Sequence, residues 1–197
     1  MNRTSTRLVA VGAIAGLLAL SACGSDSEEA GGGSEGGASL KVGIKFDQPG
    51  LGLKQGSDFT GLDVDVATFI AKELGVEAAD IEWVQAPSAQ RETLIETGQV
   101  DMVVATYSIT DARKEKVSFA GPYLLTGQSL LVRSDSNDIT GAASLENNKI
   151  LCSVSGSTPA QKIKDEYPAV QLQQYDTYSA CIEALKNGAV DAVTTDQ

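Results

Sequence analysis

Between Leu40 and the end of the chain the apolar positions switch repeatedly between a period of two and a period near 3.6. Leu40 to Lys45 has the short, β-rich pattern of a strand. Asp63 to Leu74 has helical spacing, which places Val66, Phe69, Ile70 and Leu74 on one face, and Gly75 supplies the stop. Ile81 to Gln85 reads as a strand, Ala89 to Thr97 as a helix closed by Gly98, and Val100 to Ala105 as a buried strand. This β-α-β-α-β order is that of a parallel sheet covered by helices. The pattern then starts again. Gln128 to Arg133 and Lys149 to Val154 are strands, and Thr158-Pro159 offers an N-cap and a first-turn proline for a helix reaching Glu166. Val170 to Tyr175 is a strand, Thr177 to Asn187 a helix ended by Gly188, and Val190 to Thr194 a strand.

The two series also echo each other in sequence. Ile95 to Val103 carries Gly98, Val100 and Asp101 at the spacing at which Leu185 to Val193 carries Gly188, Val190 and Asp191. Each stretch joins a helix end, a glycine and a buried strand, so two similar lobes are expected, the first over 40–132 with a hinge strand at its end and the second over 133–197. Two α/β lobes enclose a cleft, and ligands lie beyond the carboxyl ends of parallel strands. Five residues after the aspartate stand Thr106 in one copy and Asp196 in the other, and both are expected to face the cleft.

Upstream the chain is of another kind. Met1 to Arg7 is basic and Leu8 to Ala22 apolar, a span shorter than the ~20 residues of a membrane-crossing helix. This is the form of a secretory signal, expected over 1–22. Leu20-Ser21-Ala22-Cys23 resembles the bacterial lipobox, which implies cleavage before Cys23 and acylation of that cysteine. The alternative is an ordinary signal with a chance cysteine. Gly24 to Ser39 is glycine, serine and acid, too poor in apolar surface to fold, so 23–39 is expected to be a lipid-anchored tether.

The net charge of −11 argues against nucleic acid as a partner, and loss of Arg3 and Arg7 makes it more negative still. The chain has no histidine, which removes the usual general base and the commonest metal ligand. Besides Cys23 there are Cys152 and Cys181. In an exported protein an isolated pair points to a disulfide, with two buried free thiols as the alternative. Cysteines so far apart make a poor metal site, and no cofactor is implied.

Several groups able to hold a small ligand sit at the expected strand ends. Lys45 closes the first strand and Arg91 opens the second helix. Thr106, Ser108 and Arg113 lie on the loop after the third strand, and Ser155-Gly156-Ser157-Thr158 leads into a helix N-terminus, where free N–H groups attract anions. Asp196 is the one acid at a comparable place. Three cations, hydroxyls, N–H groups and one carboxylate complement a molecule with more than one negative group and one positive group, of which an acidic amino acid is the simplest. Each residue also has a plainer reading: Arg113 paired with Asp111 or Glu115, Arg91 paired with Glu92 or Glu96, Thr158 as a helix cap, Asp196 in a turn, and Lys45 pointing to solvent.

Two stretches carry a resemblance. Thr60-Gly-Leu-Asp-Val-Asp-Val-Ala67 followed by Ala71-Lys-Glu-Leu-Gly75, and Ser108-Ile-Thr-Asp-Ala-Arg113 followed by Val117-Ser-Phe119 and Gly121-Pro-Tyr123, are similar to the solute-binding proteins of amino-acid ABC transporters, the glutamate-binding lipoproteins in particular. The resemblance implies a two-lobed periplasmic-binding-protein-like α/β fold, each lobe a mainly parallel sheet with flanking helices. It implies that Arg113 clamps the ligand α-carboxylate, helped by Ser108, Thr106 and the Thr158 N–H, and that Asp196 receives the α-ammonium. It further implies that Arg91 and Lys45 hold a side-chain carboxylate, which favours glutamate, then aspartate, over glutamine. Some acidic-ligand members place a histidine in the second lobe; here Tyr175 or Thr177 would have to replace it. Family members continue past the Asp196 position through a return hinge and closing elements that complete both lobes, so the second hinge crossing, the end of the second lobe and part of the first lobe are expected to be missing. The expected role is a monomeric, non-enzymatic receptor that delivers its ligand to a membrane permease; the rivals are a dehydratase-like enzyme on the same scaffold and a sensor domain.

Overall fold

The computed structural model describes residues 39–197, so the expected leader, Cys23 and all of the tether but Ser39 fall outside the described residues. The first strand, β1 (Leu40–Ile44), buries Val42 and Ile44 completely. After it comes an antiparallel meander that hydrophobic periodicity does not reveal: β2 (Asp47–Gln48), β3 (Gly52–Gln55) and β4 (Asp58–Thr60). The meander leads through Gly61 into α1 (Leu62–Glu73). Gly61 has φ +117, and a Cβ there would stand 2.2 Å from the Leu51 carbonyl oxygen, so only glycine fits this junction.

Helix α1 turns a different face inward from the one expected. Val64, Ala67 and Ala71 are buried, Val66 and Ile70 are partly covered, and Phe69 and Leu74 are 64% and 63% exposed. The small alanines let the helix lie close to the sheet, and a stripe weighted by bulky residues overlooks them. The helix ends as expected, with Gly75 at φ +78. Next come β5 (Ile81–Gln85), a 3-10 turn at Ser88–Gln90 and α2 (Arg91–Glu96). The expected strand over 100–105 contracts to β6 (Met102–Val103), although the Asp101 and Val104 amides still donate to the Lys41 and Gly43 carbonyls. The first sheet has the order β5-β1-β6 and is wholly parallel. The short α3 (Asp111–Lys114) follows, with Thr110 as its cap.

The second sheet comprises β7 (Gln128–Val132), β8 (Ile150–Val154), β9 (Gln171–Tyr175) and β10 (Ala192–Asp196) in the order β7-β10-β8-β9. Strands β10, β8 and β9 are parallel, and β7 runs antiparallel to β10. Thus β7 pairs within the second sheet, whereas the expected boundary at residue 132 groups it with the first lobe. Helices α4 (Thr158–Glu166) and α5 (Tyr178–Lys186) provide the crossovers. The cap of α4 is Ser157, whose Oγ accepts from the Ala160 amide; Thr158 is the first helical residue, which corrects its expected role as cap. Cys152 on β8 and Cys181 on α5 form a disulfide inside the second lobe's hydrophobic cluster.

The sequence echo is a structural one. The Asp101 carboxylate accepts from the Lys41 amide at 2.7 Å while its own amide donates to the Lys41 carbonyl. Asp191 makes the same pair of bonds to Ile150, at 2.8 Å each. Each clip ties the start of a lobe's last strand to a parallel neighbour, which fixes where Thr106 and Asp196 emerge. Among the described residues no helix is long and apolar enough to cross a membrane.

Candidate ligand-binding cleft

The β6 strand ends in a turn that L-residues adopt reluctantly. Thr106 has φ +48, and its amide donates to Tyr123 Oη at 3.1 Å. The Tyr123 hydroxyl in turn donates to Asp63 Oδ1 at 2.7 Å. This turn presents Tyr107, whose ring packs on Phe119 with centroids 5.0 Å apart. Both the Arg91 and the Arg113 guanidinium lie over that ring, at 5.0 and 4.7 Å from its centroid. A ring face attracts cations electrostatically, and here one ring holds two that repel each other.

Arg113 is the better satisfied of the two. Its Nη1 donates to the Ser108 carbonyl at 3.0 Å and to Thr158 Oγ1 at 2.9 Å, and its Nη2 donates to the Gly156 carbonyl at 2.9 Å. Its Nε lies 3.4 Å from Glu92 Oε1, so its acidic partner is Glu92 rather than Asp111 or Glu115. These bonds cross from the first lobe to the second. Gly156 itself stands so near Ala89 that a Cβ on it would lie 2.7 Å from the Ala89 Cα. Because Ser157 takes the capping role, the Thr158 hydroxyl is free to face Arg113.

Arg91 is 3% exposed, and its guanidinium makes a single hydrogen bond among the described residues, 3.5 Å from Nε to the Ala86 carbonyl. It pairs with neither Glu92 nor Glu96. Burial, then the nearby Arg113 charge, lowers its pKa to about 10. Lys45 is 2% exposed, which overturns the reading that it points to solvent. Its Nζ has no hydrogen-bond partner among the described residues and sits 5.4 Å from the ring centroid of Tyr178, which belongs to the second lobe. Burial first, and Arg91 second, lower the Lys45 pKa to about 8. Asp196 ends β10, and burial raises its pKa against the opposing pull of Arg91.

Arg91, Thr106, Ser108, Arg113, Thr158 and Asp196 line one small cavity of about 10 Å³, together with Ser88, Ser157, Pro159 and Tyr178. It adjoins a cleft of about 1250 Å³ that shares Thr106, Ser108, Thr158 and Asp196 and reaches Asp47 and Gln48. Six of the seven residues named from sequence therefore meet at one place; Lys45 lies apart from the cavity lining and close to Arg91 and Tyr178. Tyr175 and Thr177 do not reach the cavity. Thr177 caps α5, and Tyr175 Oη accepts from Gln173. Sequence reasoning did not single out Tyr107, Tyr178 or Glu92 as site residues. The signal for Tyr107 was its place between Thr106 and Ser108, but an aromatic ring serving as a bed for arginines has no spacing signature. Tyr178 is recognisable only once α5 is seen to face the first lobe. Asp47 Oδ2 accepts from the Ser179 amide at 3.2 Å, a contact between the meander and the N-terminus of α5 that joins residues far apart in sequence.

Comparison with known proteins agrees with this architecture. Residues 40–170 match the family of bacterial extracellular solute-binding proteins, family 3. The glutamate-binding protein GluB of Corynebacterium glutamicum is 55% identical, over 99% of this chain and 69% of its own length. Among solved structures, an ancestral arginine-binding protein bound to glutamine superposes with a TM-score of 0.75 at 33% identity, over 80% of this chain and 69% of that one. The ancestral amino acid-binding protein AncCDT-1, a precursor of cyclohexadienyl dehydratase, superposes with a TM-score of 0.74 at 29% identity, over 80% of this chain and 70% of that one. Two lobes each built on a largely parallel sheet, a cleft that gathers cations, hydroxyls and a carboxylate, and a match spanning most of the folded chain lead to one conclusion: the protein belongs to the bacterial extracellular solute-binding proteins, family 3.

Proposed function

We propose that this protein is the receptor of an ABC uptake system and that it captures glutamate, with aspartate the next best ligand. The observation that carries the proposal is the convergence of two first-lobe cations, Arg91 and Arg113, with the buried Lys45 close to Arg91, on a cavity to which the second lobe contributes the carboxylate of Asp196. In this reading Arg113 grips the ligand α-carboxylate through a planar, bidentate fork, with Thr158 beside it. Asp196 takes the α-ammonium, with Thr106 and Ser108 alongside. Arg91 and Lys45 take the side-chain carboxylate, which supplies the hydrogen-bond partner that the Lys45 ammonium lacks among the described residues. A small cavity of about 10 Å³ holds roughly one water. Ligand entry therefore requires the lobes to part and Arg113 to exchange Gly156 and Thr158 for a carboxylate. A ligand that touches both lobes then favours reclosure.

The reading involves binding and release with no covalent step. It also includes the lipid on Cys23, the tether that follows and a monomeric receptor, which together would keep a diffusing protein beside its permease and raise its effective concentration there. A glutamine ligand is the second reading, supported by the structural relative bound to glutamine. Titration calorimetry with glutamate, aspartate, glutamine and arginine decides between them. Glutamate should bind tightest. Tighter binding of glutamine, or heat with arginine alone, would overturn the assignment. For the anchor, mass spectrometry of the mature N-terminus should find diacylglycerol on Cys23, and a free thiol there would refute it.

A further inference from the structure

The cleft residues rest on a support that none of the roles above requires. Asp63 is fully buried, second in the first turn of α1, with one carboxylate oxygen bonded to the Tyr123 hydroxyl and the other without a partner among the described residues. That same hydroxyl accepts from the Thr106 amide, so Asp63, Tyr123 and Thr106 form one chain of hydrogen bonds that joins positions 60 and 17 residues apart in sequence. Thr106 is the place where support is needed. A β-branched residue at φ +48 is strained and persists only when its surroundings over-determine it. The next residue is Tyr107, the ring on which both arginines lie.

We propose that Asp63 and Tyr123 are positioning residues of the binding site: their hydrogen-bond chain locks Thr106 in its left-handed turn and thereby sets the Tyr107 ring beneath Arg91 and Arg113. The proposal deepens the glutamate-receptor reading and rests on it for its functional consequence. A carboxylate buried at the start of a twelve-residue helix is tolerated partly because the helix N-terminus favours negative charge. Capping alone, however, does not require a tyrosine between that carboxylate and a strained amide. If the chain breaks, the turn relaxes, the ring shifts and the two guanidiniums lose their common bed.

Two measurements on the whole protein test this. Tyr123→Phe keeps the ring and removes only the hydroxyl. By amide hydrogen exchange without ligand, protection of the Thr106 amide should fall about tenfold or more, while the Val42 and Asp101 amides of the neighbouring sheet keep theirs. By calorimetry, glutamate affinity should fall about tenfold in Tyr123→Phe. In a Thr106→Gly background, where the turn carries no strain, the same substitution should cost about twofold or less; a merely structural role of Tyr123 would give the same loss in both backgrounds. Asp63→Asn should reproduce the exchange effect more weakly, since an amide oxygen still accepts from Tyr123. Unchanged Thr106 exchange in Tyr123→Phe, or equal affinity losses in the two backgrounds, would overturn the proposal. If the unaltered protein failed to bind glutamate, the receptor reading would fall, and the exchange arm would still decide whether Tyr123 locks the turn.

Discussion

The first-lobe wall of the cleft is made of cations set into aromatic and apolar surroundings, while the second-lobe wall is made of hydroxyls, carbonyls and a carboxylate on a cross-linked sheet. Lys45 and Arg91 on the first side are almost wholly buried, and among the described residues their hydrogen bonding is limited to the 3.5 Å contact from Arg91 Nε to the Ala86 carbonyl. Thr158, Gly156 and Asp196 on the second side emerge from strands and a helix start that are internally satisfied, with Ser157 capping α4 and Ser153 bonded to the Thr194 carbonyl. The second lobe is also stapled by Cys152–Cys181, whereas the first depends on packing and on the Asp63–Tyr123–Thr106 chain. In the proposed reading the difference says where binding energy would be stored: buried charges with few hydrogen-bond partners suit an anion, and a cross-linked second wall offers a fixed surface for closure.

Removing Arg113, which hydrogen-bonds to both walls, should break this arrangement most severely. Arg113→Ala takes away the guanidinium and strands Glu92, Thr158 and the Gly156 carbonyl. Calorimetry should show glutamate binding weakened by roughly 2–5 kcal/mol, a factor of about thirty or more in Kd. A loss below about fivefold would mean that the first wall is not the anchor. The second wall is broken by Cys152→Ala with Cys181→Ala. The bond spans 29 residues of sequence, so its loss should lower stability by about 3 kcal/mol. Trp83, the single tryptophan of the chain, packs in the first lobe against Phe59. Its fluorescence should therefore report unfolding at higher denaturant than far-UV circular dichroism does. Coincident transitions, shifted equally, would show that the two walls are one cooperative unit.

Lys45 sharpens the comparison because it sets binding against stability. Its pKa is about 8 in the folded chain and near 10.5 unfolded. Between those values the unfolded chain binds more protons, so this lysine makes stability rise with pH from about 8 to 10.5, by at most about 1.4 kcal/mol per pH unit. Below pH 8 the penalty for burying the charge is present in full. Lys45→Met should therefore stabilise the ligand-free protein at pH 7 by about 1–3 kcal/mol, flatten that alkaline rise and weaken glutamate binding about tenfold. In the unaltered protein a bound carboxylate favours the charged amine, so glutamate affinity should decline as pH climbs past 8. A Lys45→Met protein less stable than its parent at pH 7 would show that the ammonium is satisfied in solution.

The duplicated order of strands and helices was readable because hydrophobic period, glycine stops and the repeated aspartate are local signals, and each aspartate proved to make the same clip. The face of α1 was not readable, because Ala67 and Ala71 pack closely without registering as bulky. The meander over residues 47–60 escaped notice because its strands are two to four residues long and held by turns rather than by alternation. Six of the candidate residues could be brought to one cavity because they lie just beyond strand ends or at helix starts, places that topology fixes. The burial of Lys45 was not legible, since it depends on Tyr178 arriving from the other lobe.

The smallest expected effect concerns how the walls meet. Asp47 is on the first side, and its carboxylate accepts from the Ser179 amide in the first turn of α5, a helix of the second lobe. A negative charge there complements the positive end of the helix, a contribution of about 0.3–1 kcal/mol at low ionic strength. It also lies near enough to Lys45 to favour that ammonium. Asp47→Asn keeps an acceptor for Ser179 and deletes only the charge. Because the contact joins the lobes, its weakening should destabilise the closed state and reduce glutamate affinity about two- to fivefold at low salt. The difference between Asp47→Asn and its parent should shrink as salt rises from roughly 0.01 to 1 M, since the Debye length falls from about 30 to 3 Å. A salt-independent difference would assign the effect to lost hydrogen-bond geometry. Tighter binding by the variant would show that Asp47 opposes an anionic ligand more than it holds the lobes together, and would limit closure to the Arg113 bridge.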